Sequence, residues 1–450
     1  MLEAGADVVR LNLAHGSPEF HRRNVRLARD AADRLGRVVG VLVDLPGPKM
    51  RTGPVVDDAA ILQTGQPFTI VDRDVVGDSS KVSTSVEGLA DMVFPSCVVY
   101  LADGAIVLEV DSVSDGDVHT SVVRGGILRS RKGMHVPQAE HAVESFSGED
   151  RAALELGLRL GADLVGLSFV RNAGDVKRVR DELPDAECGP LLVAKIETGS
   201  AVENLDEIVA EADAVMVARG DLGIQTPLRS VAMLQKDIID MCNGAGKTVI
   251  TATQMLESMT RAPLPTRAEV ADVANAVLDG TDALMLSEET AVGEFPVEAV
   301  TTMSDIARSA ETRPRSVEKP APKERSDDRV SWAVARAAVH AAEDVGVSAI
   351  LCPTRTGATP RRVAAFRPSM LIVGLSGDAT TIGALALAWG VTPLWMEEMQ
   401  EATDTRAEVE RAAAAARRAQ LVSSGDLVAV AAGSPGPRAG RTDYVRIARA

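Results

Sequence analysis

Lys195, Glu197 and Asp221 each stand at the end of a short apolar run, Leu191-Leu-Val-Ala-Lys-Ile-Glu197 and Ala214-Val-Met-Val-Ala-Arg-Gly-Asp221. If these runs are consecutive parallel strands separated by one helix, their ends lie side by side on one face. Two hard carboxylate ligands can hold Mg²⁺ there, and a compact ammonium can touch a phosphoryl group. The chemistry implied is metal-assisted phosphoryl transfer. A structural ion pair between Lys195 and Glu197, or a solvated acidic pair at strand ends, is the alternative use of the same residues.

The elements that must position them follow from hydrophobic patterning. Apolar runs at 8–13, 39–44, 164–169, 191–196, 214–218, 247–252 and 282–286 mostly alternate with amphipathic stretches such as Val202–Ala212 and Arg267–Leu278, a βα repeat. Residues 54–137 change character. Val, Thr, Ser, Asp and Gly dominate, helical periodicity vanishes, and turn signals recur at Ala102-Asp-Gly104 and Ser114-Asp-Gly116, so this stretch reads as an inserted all-β domain. The charged, Pro-rich stretch beginning at Arg313 reads as a linker, and a C-terminal α/β domain follows with strand-like runs at 349–353, 370–375, 427–432 and 444–448. The expected division is 1–53 barrel, 54–137 insert, 138–312 barrel, 313–328 linker and 329–450 C-terminal domain. Seven runs precede the linker, whereas a closed barrel needs about eight strands. Met1-Leu-Glu-Ala-Gly-Ala-Asp7 reads as the tail of a helix already under way. The fold class expected is therefore α/β, a TIM (β/α)₈-type barrel lacking its first βα unit or imperfectly closed.

Composition narrows the function classes. With 450 residues, 46% hydrophobic content and no long uncharged apolar run, the chain reads as a soluble protein without a membrane span. A net charge of −16 argues against a general nucleic-acid binder and leaves small phosphorylated ligands open. Cys97, Cys188, Cys242 and Cys352 are scattered, and Met1 is not followed by a signal-peptide pattern, so a reducing cytoplasm is the expected home.

Longer strings then accumulate in order: Arg10-Leu-Asn-Leu-Ala-His-Gly16, Gly47-Pro-Lys-Met-Arg-Thr-Gly53, Lys195-Ile-Glu197, Met216-Val-Ala-Arg-Gly-Asp-Leu-Gly223, Thr251-Ala-Thr-Gln-Met-Leu-Glu-Ser-Met259, Pro265-Thr-Arg-Ala-Glu269 and Met285-Leu-Ser-Glu-Glu-Thr-Ala291. Together they resemble pyruvate kinase across nearly the whole chain. The resemblance implies a TIM barrel with a β-domain lid inserted after the third strand and a C-terminal α/β domain, the absent first strand being the family's first βα unit. It also implies transfer of the phosphoryl group of phosphoenolpyruvate to ADP, giving pyruvate and ATP in glycolysis. Glu197 and Asp221 resemble the Mg²⁺ ligands, with Mn²⁺ as an alternative ion, and Lys195 resembles the lysine that stabilises the phosphoryl group in flight. Arg10 resembles the phosphate-gripping arginine. Thr253 resembles the threonine near the face of the enolate that is protonated, through a bound water. The amides around Arg219-Gly220-Asp221 are implied to hold the substrate carboxylate. Arg51 and Lys132, with Asn12 and His15, map onto nucleotide-contacting positions.

Departures from the family pattern carry their own expectations. Many members hold K⁺ with an Asn, a Ser, an Asp and a carbonyl; here Asn12 and Asp44 remain, Ala14 replaces the Ser, and Lys49 stands where those members carry Glu. An ammonium supplies the single positive charge without a separate ion, so K⁺ is expected not to be required, with Lys49 as the replacement charge. Glu288, Gln225 and Leu45-Pro46 also depart from the usual residues. Thr354-Arg-Thr-Gly-Ala-Thr359 follows a strand and opens a helix. It reads equally as a site for a sugar-phosphate effector and as a capped βα turn. Thr266 with Glu269 fits a helix capping box, for which no catalytic role is expected. The resemblance further implies a homotetramer. Two alternatives remain: a catalytically impaired paralogue that binds ligands or oligomerises, and an Mg²⁺-dependent lyase of the pyruvate/enolate barrels, which would not need the insert or Arg51 and Lys132.

Overall fold

The computed structural model of the chain describes residues 1–48, 50–102, 104–137, 139, 144–184, 188–313, 328–397, 404–434 and 441–450. Lys49 and residues 314–327 of the expected linker lie outside them. Two compact units emerge, one of Met1–Leu45, Glu149–Arg219 and Ala232–Ala450, the other of Pro46–Gly148 and Gly220–Val231.

In the first unit, seven strands form one parallel sheet in chain order: β1 (Val8–Asn12), β2 (Gly40–Asp44), β3 (Leu164–Leu167), β4 (Leu191–Ile196), β5 (Ala214–Ala218), β6 (Thr248–Ala252) and β7 (Ala283–Leu284). Sequential parallel neighbours joined by helices make the wall of a (β/α) barrel, and β1 and β7 are the sheet's two ends. Every residue of β2, β3 and β5 is buried, which explains why these strands read as continuous Val/Leu/Ala runs rather than as alternation. Leu42, Leu164, Val193, Met216 and Ile250 share one core cluster with Leu387 of the C-terminal domain. Local signals set the helix ends. Helix Pro18–Leu35 starts at Ser17, whose hydroxyl accepts the Phe20 N–H, and stops at left-handed Gly36. Helix Arg267–Asp279 opens with the full capping box of Thr266 and Glu269. In the opening segment Gly5 N–H bonds the Leu2 carbonyl at 3.1 Å and Ala6 N–H that of Met1 at 3.2 Å, the paired bonds that end a helix at a C-terminal glycine, in line with the sequence reading. Gly5, at φ +115°, leaves the helical region there.

A repeated device secures the strand starts. Asp163, Asp213 and Asp282 directly precede β3, β5 and β7 in Gly161-Ala-Asp-Leu164, Glu211-Ala-Asp-Ala214 and Gly280-Thr-Asp-Ala283. Their carboxylates accept the N–H groups of Val41 at 2.7 Å, Leu192 at 2.9 Å and Val249 at 2.7 Å, each at the start of the preceding strand. Each also pairs with one arginine: Arg29 at 2.6 Å, Arg180 at 3.1 Å and Arg367 at 2.7 Å. Sequence reasoning missed this repeat. Gly383 of the C-terminal domain lies against the Asp163 carboxylate, where a Cβ would collide.

The C-terminal domain contributes β8 (Ala349–Pro353), β9 (Leu371–Ser376), β10 (Val391–Trp395), β11 (Leu427–Ala432) and β12 (Tyr444–Arg449), in the order β10-β9-β8-β11-β12 with only β12 antiparallel. Helices cover both faces over two core clusters. The sequence pattern marked four of these strands and passed over β10. Pro393 interrupts that run and lacks an N–H, which the sheet tolerates because β10 is an edge strand.

The second unit carries a six-stranded, mainly antiparallel sheet. Its order is Met134–His135, Val98–Leu101, Ile106–Ser114, Asp117–Arg124, Pro67–Val71, Lys81–Ser83, and only the last pair is parallel. Asp115 and Gly116, at φ +52° and +80°, form the two-residue turn that Ser114-Asp-Gly116 signals. Phe68, Ile70, Val99, Leu101 and Leu108 centre its core. The expected insert, 54–137, falls within the longer stretch Pro46–Gly148 of this unit.

Candidate active site

β4 and β5 pair in register, so the sheet presents their C-terminal ends side by side. Lys195 is the fifth residue of β4 and Glu197 follows the strand directly, while Asp221 lies in the first turn of helix Arg219–Gln225, which β5 enters without a loop. Lys195 Nζ lies 2.9 Å from Glu197 Oε1, 3.2 Å from Asp44 Oδ1 and 2.7 Å from Ser168 Oγ. Arg10, from β1, grips the far side of Asp44, its Nε donating at 2.7 Å and its Nη2 bonding the same oxygen. Four ionised side chains from three strands and one strand end thus form an unbroken chain: Arg10, Asp44, Lys195, Glu197. All but Arg10 are buried, each under 8% exposed.

Burial alone would favour the neutral amine at Lys195, but Asp44 and Glu197 outweigh it and raise its pKa. Burial likewise pushes the Asp44 carboxyl up, and the opposing charges of Lys195 and Arg10 bring it below the ordinary value. Both groups are therefore charged at neutral pH. The second oxygen of Glu197, Oε2, accepts the Phe169 N–H at 2.7 Å, and Phe169 holds φ +54°, a strained conformation for a non-glycine residue. Among the described residues no three His, Cys, Asp or Glu side chains form a ready-made metal cage.

The other sequence-selected residues divide. Asn12 sits opposite Asp44 in the β1–β2 register and caps the turn after β1, its Oδ1 accepting the Ala14 N–H at 3.1 Å. His15 is exposed on that turn and its carbonyl meets His21 Nε2 at 2.7 Å. Thr253 follows β6, its hydroxyl donating to the Ala252 carbonyl at 2.7 Å. In the second unit, Arg51 and Lys132 stand on two chain passages paired through Arg51 and Gly133, with Thr52 N–H bonding the Lys132 carbonyl at 2.9 Å. Lys49 lies outside the described residues. Sequence reasoning missed Ser168, which links Lys195 to the Leu45 carbonyl at 2.8 Å. A lone hydroxyl ending the 164–169 apolar run was the available signal.

A parallel (β/α) barrel whose strand ends bury an ammonium between two carboxylates, carried with an all-β unit and a C-terminal α/β domain, defines a barrel enzyme equipped for phosphoryl chemistry. Residues 1–300 match the family model described as the barrel domain of pyruvate kinase, and 332–448 the one described as its alpha/beta domain. The chain is 41% identical over 452 residues to the pyruvate kinase of Geobacillus stearothermophilus, covering 99% of this chain and 76% of that one. It is 41% identical over 406 residues to the pyruvate kinase of Thermococcus litoralis, covering 88% and 85%. Pyruvate kinase 2 of Synechocystis is 40% identical over 452 residues, covering 99% and 75%. The chain belongs to the pyruvate kinase family. It is accordingly a phosphotransferase, and the family implies dependence on a divalent metal.

Proposed function

We propose that the chain transfers the phosphoryl group of phosphoenolpyruvate to ADP in the cytoplasm, giving pyruvate and ATP as a step of glycolysis. The observation that carries this reading is the buried Lys195, charged and fixed between Asp44, Glu197 and Ser168 at the end of β4. A preorganised ammonium of this kind stabilises charge developing on a phosphoryl group without moving. Glu197 and Asp221, ending consecutive strand units, are the ligands for Mg²⁺ or, in its place, Mn²⁺. The bound ion would supply charge neutralisation at the phosphate and carboxylate oxygens. Arg10 holds the phosphoryl oxygens with its planar fork, and Gly220 with Asp221 opens the helix whose amides meet the substrate carboxylate. Thr253 holds the water that protonates the enolate. Arg51 and Lys132, with Asn12 and His15, meet the nucleotide. A coupled assay with phosphoenolpyruvate, ADP and Mg²⁺ tests the reading: steady pyruvate and ATP formation is expected, and none from folded protein contradicts it.

K⁺ independence belongs to the same proposal, with Lys49 as the replacement charge. It draws support from Asp44, whose carboxylate already faces Arg10 on one side and Lys195 on the other. With tetramethylammonium as the sole monovalent cation, nearly full activity is expected; strong activation by KCl would sink the idea. Assembly as a homotetramer and an effector site at Thr354–Thr359 complete the reading. The loop lies between β8 and helix Ala358–Ala365, with Thr354 Oγ1 accepting the Gly357 N–H at 3.0 Å and Thr359 paired to Thr442 at 2.7 Å. An effector would therefore rely on the loop's remaining amides, and a sugar-phosphate titration followed by activity tests this.

A further inference from the structure

Helix Arg219–Gln225 leaves β5 without a loop, yet from Gly220 to Val231 the chain forms one compact unit with Pro46–Gly148. Asp221 in its first turn and Gln225 at its end are one helical turn apart, so both side chains lie on one face. Thr226 closes the last turn: its N–H and its hydroxyl both bond the Leu222 carbonyl, at 2.9 and 2.7 Å. A helix this short, closed at its end, moves as one piece. Whatever holds Gln225 therefore also sets where Asp221 stands.

Gln225 is held by a residue 90 positions earlier, its Nε2 lying 2.7 Å from His135 Nδ1. A carboxamide nitrogen can only donate, so Nδ1 accepts and the ring carries its proton on Nε2. Burial pushes the His135 pKa down to about 4, which keeps the ring neutral and its Nδ1 an acceptor at neutral pH. The ring is itself fixed. His135 stands opposite Tyr100 in the antiparallel register and stacks on it, centroids 5.9 Å apart and planes inclined by 19°. The turn at Gly104 approaches the same helix, where a Cβ would meet Ile224 at 3.6 Å. We propose that Gln225 and His135 are positioning residues for Asp221: their hydrogen bond ties the Asp221-bearing face of the helix to strand Met134–His135, and so fixes that carboxylate for the divalent metal. This rests on the assignment of Asp221 as a metal ligand. Gln225 is also one of the positions at which the chain departs from the family pattern, so the bond is read from this sequence and not from the resemblance.

The test measures Mn²⁺ binding to the full chain, from the electron paramagnetic resonance signal of the free ion, beside the urea midpoint. Gln225→Leu removes the donor at similar size and is expected to raise the Mn²⁺ dissociation constant about tenfold. His135→Phe keeps a ring on Tyr100 but lacks Nδ1. It should raise the constant as much, and it carries the test if the leucine variant does not fold. The double variant should bind no more weakly than either single one, because both remove the same bond, whereas losses that add would overturn the pairing. A purely structural role would lower the urea midpoint and leave Mn²⁺ affinity alone, and wild-type affinity in both single variants overturns the inference. Asp221→Asn separates the two claims. If it weakens Mn²⁺ binding while the Gln225 and His135 variants do not, only the positioning role fails; if it leaves Mn²⁺ affinity intact, the assignment of Asp221 fails and this inference with it.

Discussion

The two ends of the barrel strands use the same residue types for opposite purposes. At the starts, Asp163, Asp213 and Asp282 each bond a backbone N–H and an arginine, so their charges are absorbed locally by the sheet. At the ends, Asp44 and Glu197 share Lys195, and Arg10 joins through Asp44, so the charges hold one another. A carboxylate paired with a backbone N–H and an arginine stabilises the fold, whereas Glu197, which also accepts the Phe169 N–H, turns its other oxygen to Lys195. A carboxylate paired with side-chain cations keeps those charges at the strand ends, where a phosphoryl group and a metal would meet them. Barrel enzymes place chemistry at the strand ends and stability at the starts, and here the partners of each carboxylate show why.

Breaking the strand-end network should give the largest effect. Lys195→Met is expected to reduce kcat by roughly 10²–10³ or more, measured in the coupled assay, because a preorganised charge is lost from the site. Next comes pH dependence at a strand start. Burial, partly opposed by Arg29, raises the Asp163 carboxyl from 3.8 to about 6. A carboxyl whose folded pKa lies above its unfolded value favours the native state while protonated, and that contribution disappears as pH rises through the folded pKa. The stability of wild type relative to Asp163→Asn should therefore fall by up to about 3 kcal/mol between pH 4 and pH 7, read from urea melts. Asp213→Ala should lower stability by roughly 1–3 kcal/mol by leaving the Leu192 N–H without its acceptor, with kcat within about twofold of wild type. Thr266→Ala removes one exposed helix cap and should cost about 1 kcal/mol, setting the scale for an effect at neither strand end.

Much of the site was legible in the sequence because strand ends are marked twice, by an apolar run and by the charged residue that closes it. Lys195, Glu197 and Asp221 carry both marks. Ser168 carries only the second, as a neutral hydroxyl, and Arg219 reads as part of a helix opening until its fork is seen on the carbonyls of a neighbouring strand. The pairing of Arg10 with Asp44 depends on two strands being parallel and in register, a long-range fact that spacing does not encode. The strand-start aspartates were visible as a repeated Asp before an apolar run. Their partners lie 21 to 134 residues away, so the repeat had no local meaning. β10 was hidden because Pro393 breaks the apolar pattern of an edge strand.

The central claim, that strand-end carboxylates serve chemistry and strand-start carboxylates serve the fold, is tested most directly by measuring kcat and urea midpoint on Glu197→Gln and Asp213→Asn. The account predicts that Glu197→Gln loses most activity at a nearly unchanged midpoint, while Asp213→Asn lowers the midpoint and keeps kcat. Unimpaired turnover in Glu197→Gln, or lost turnover in fully folded Asp213→Asn, would contradict it.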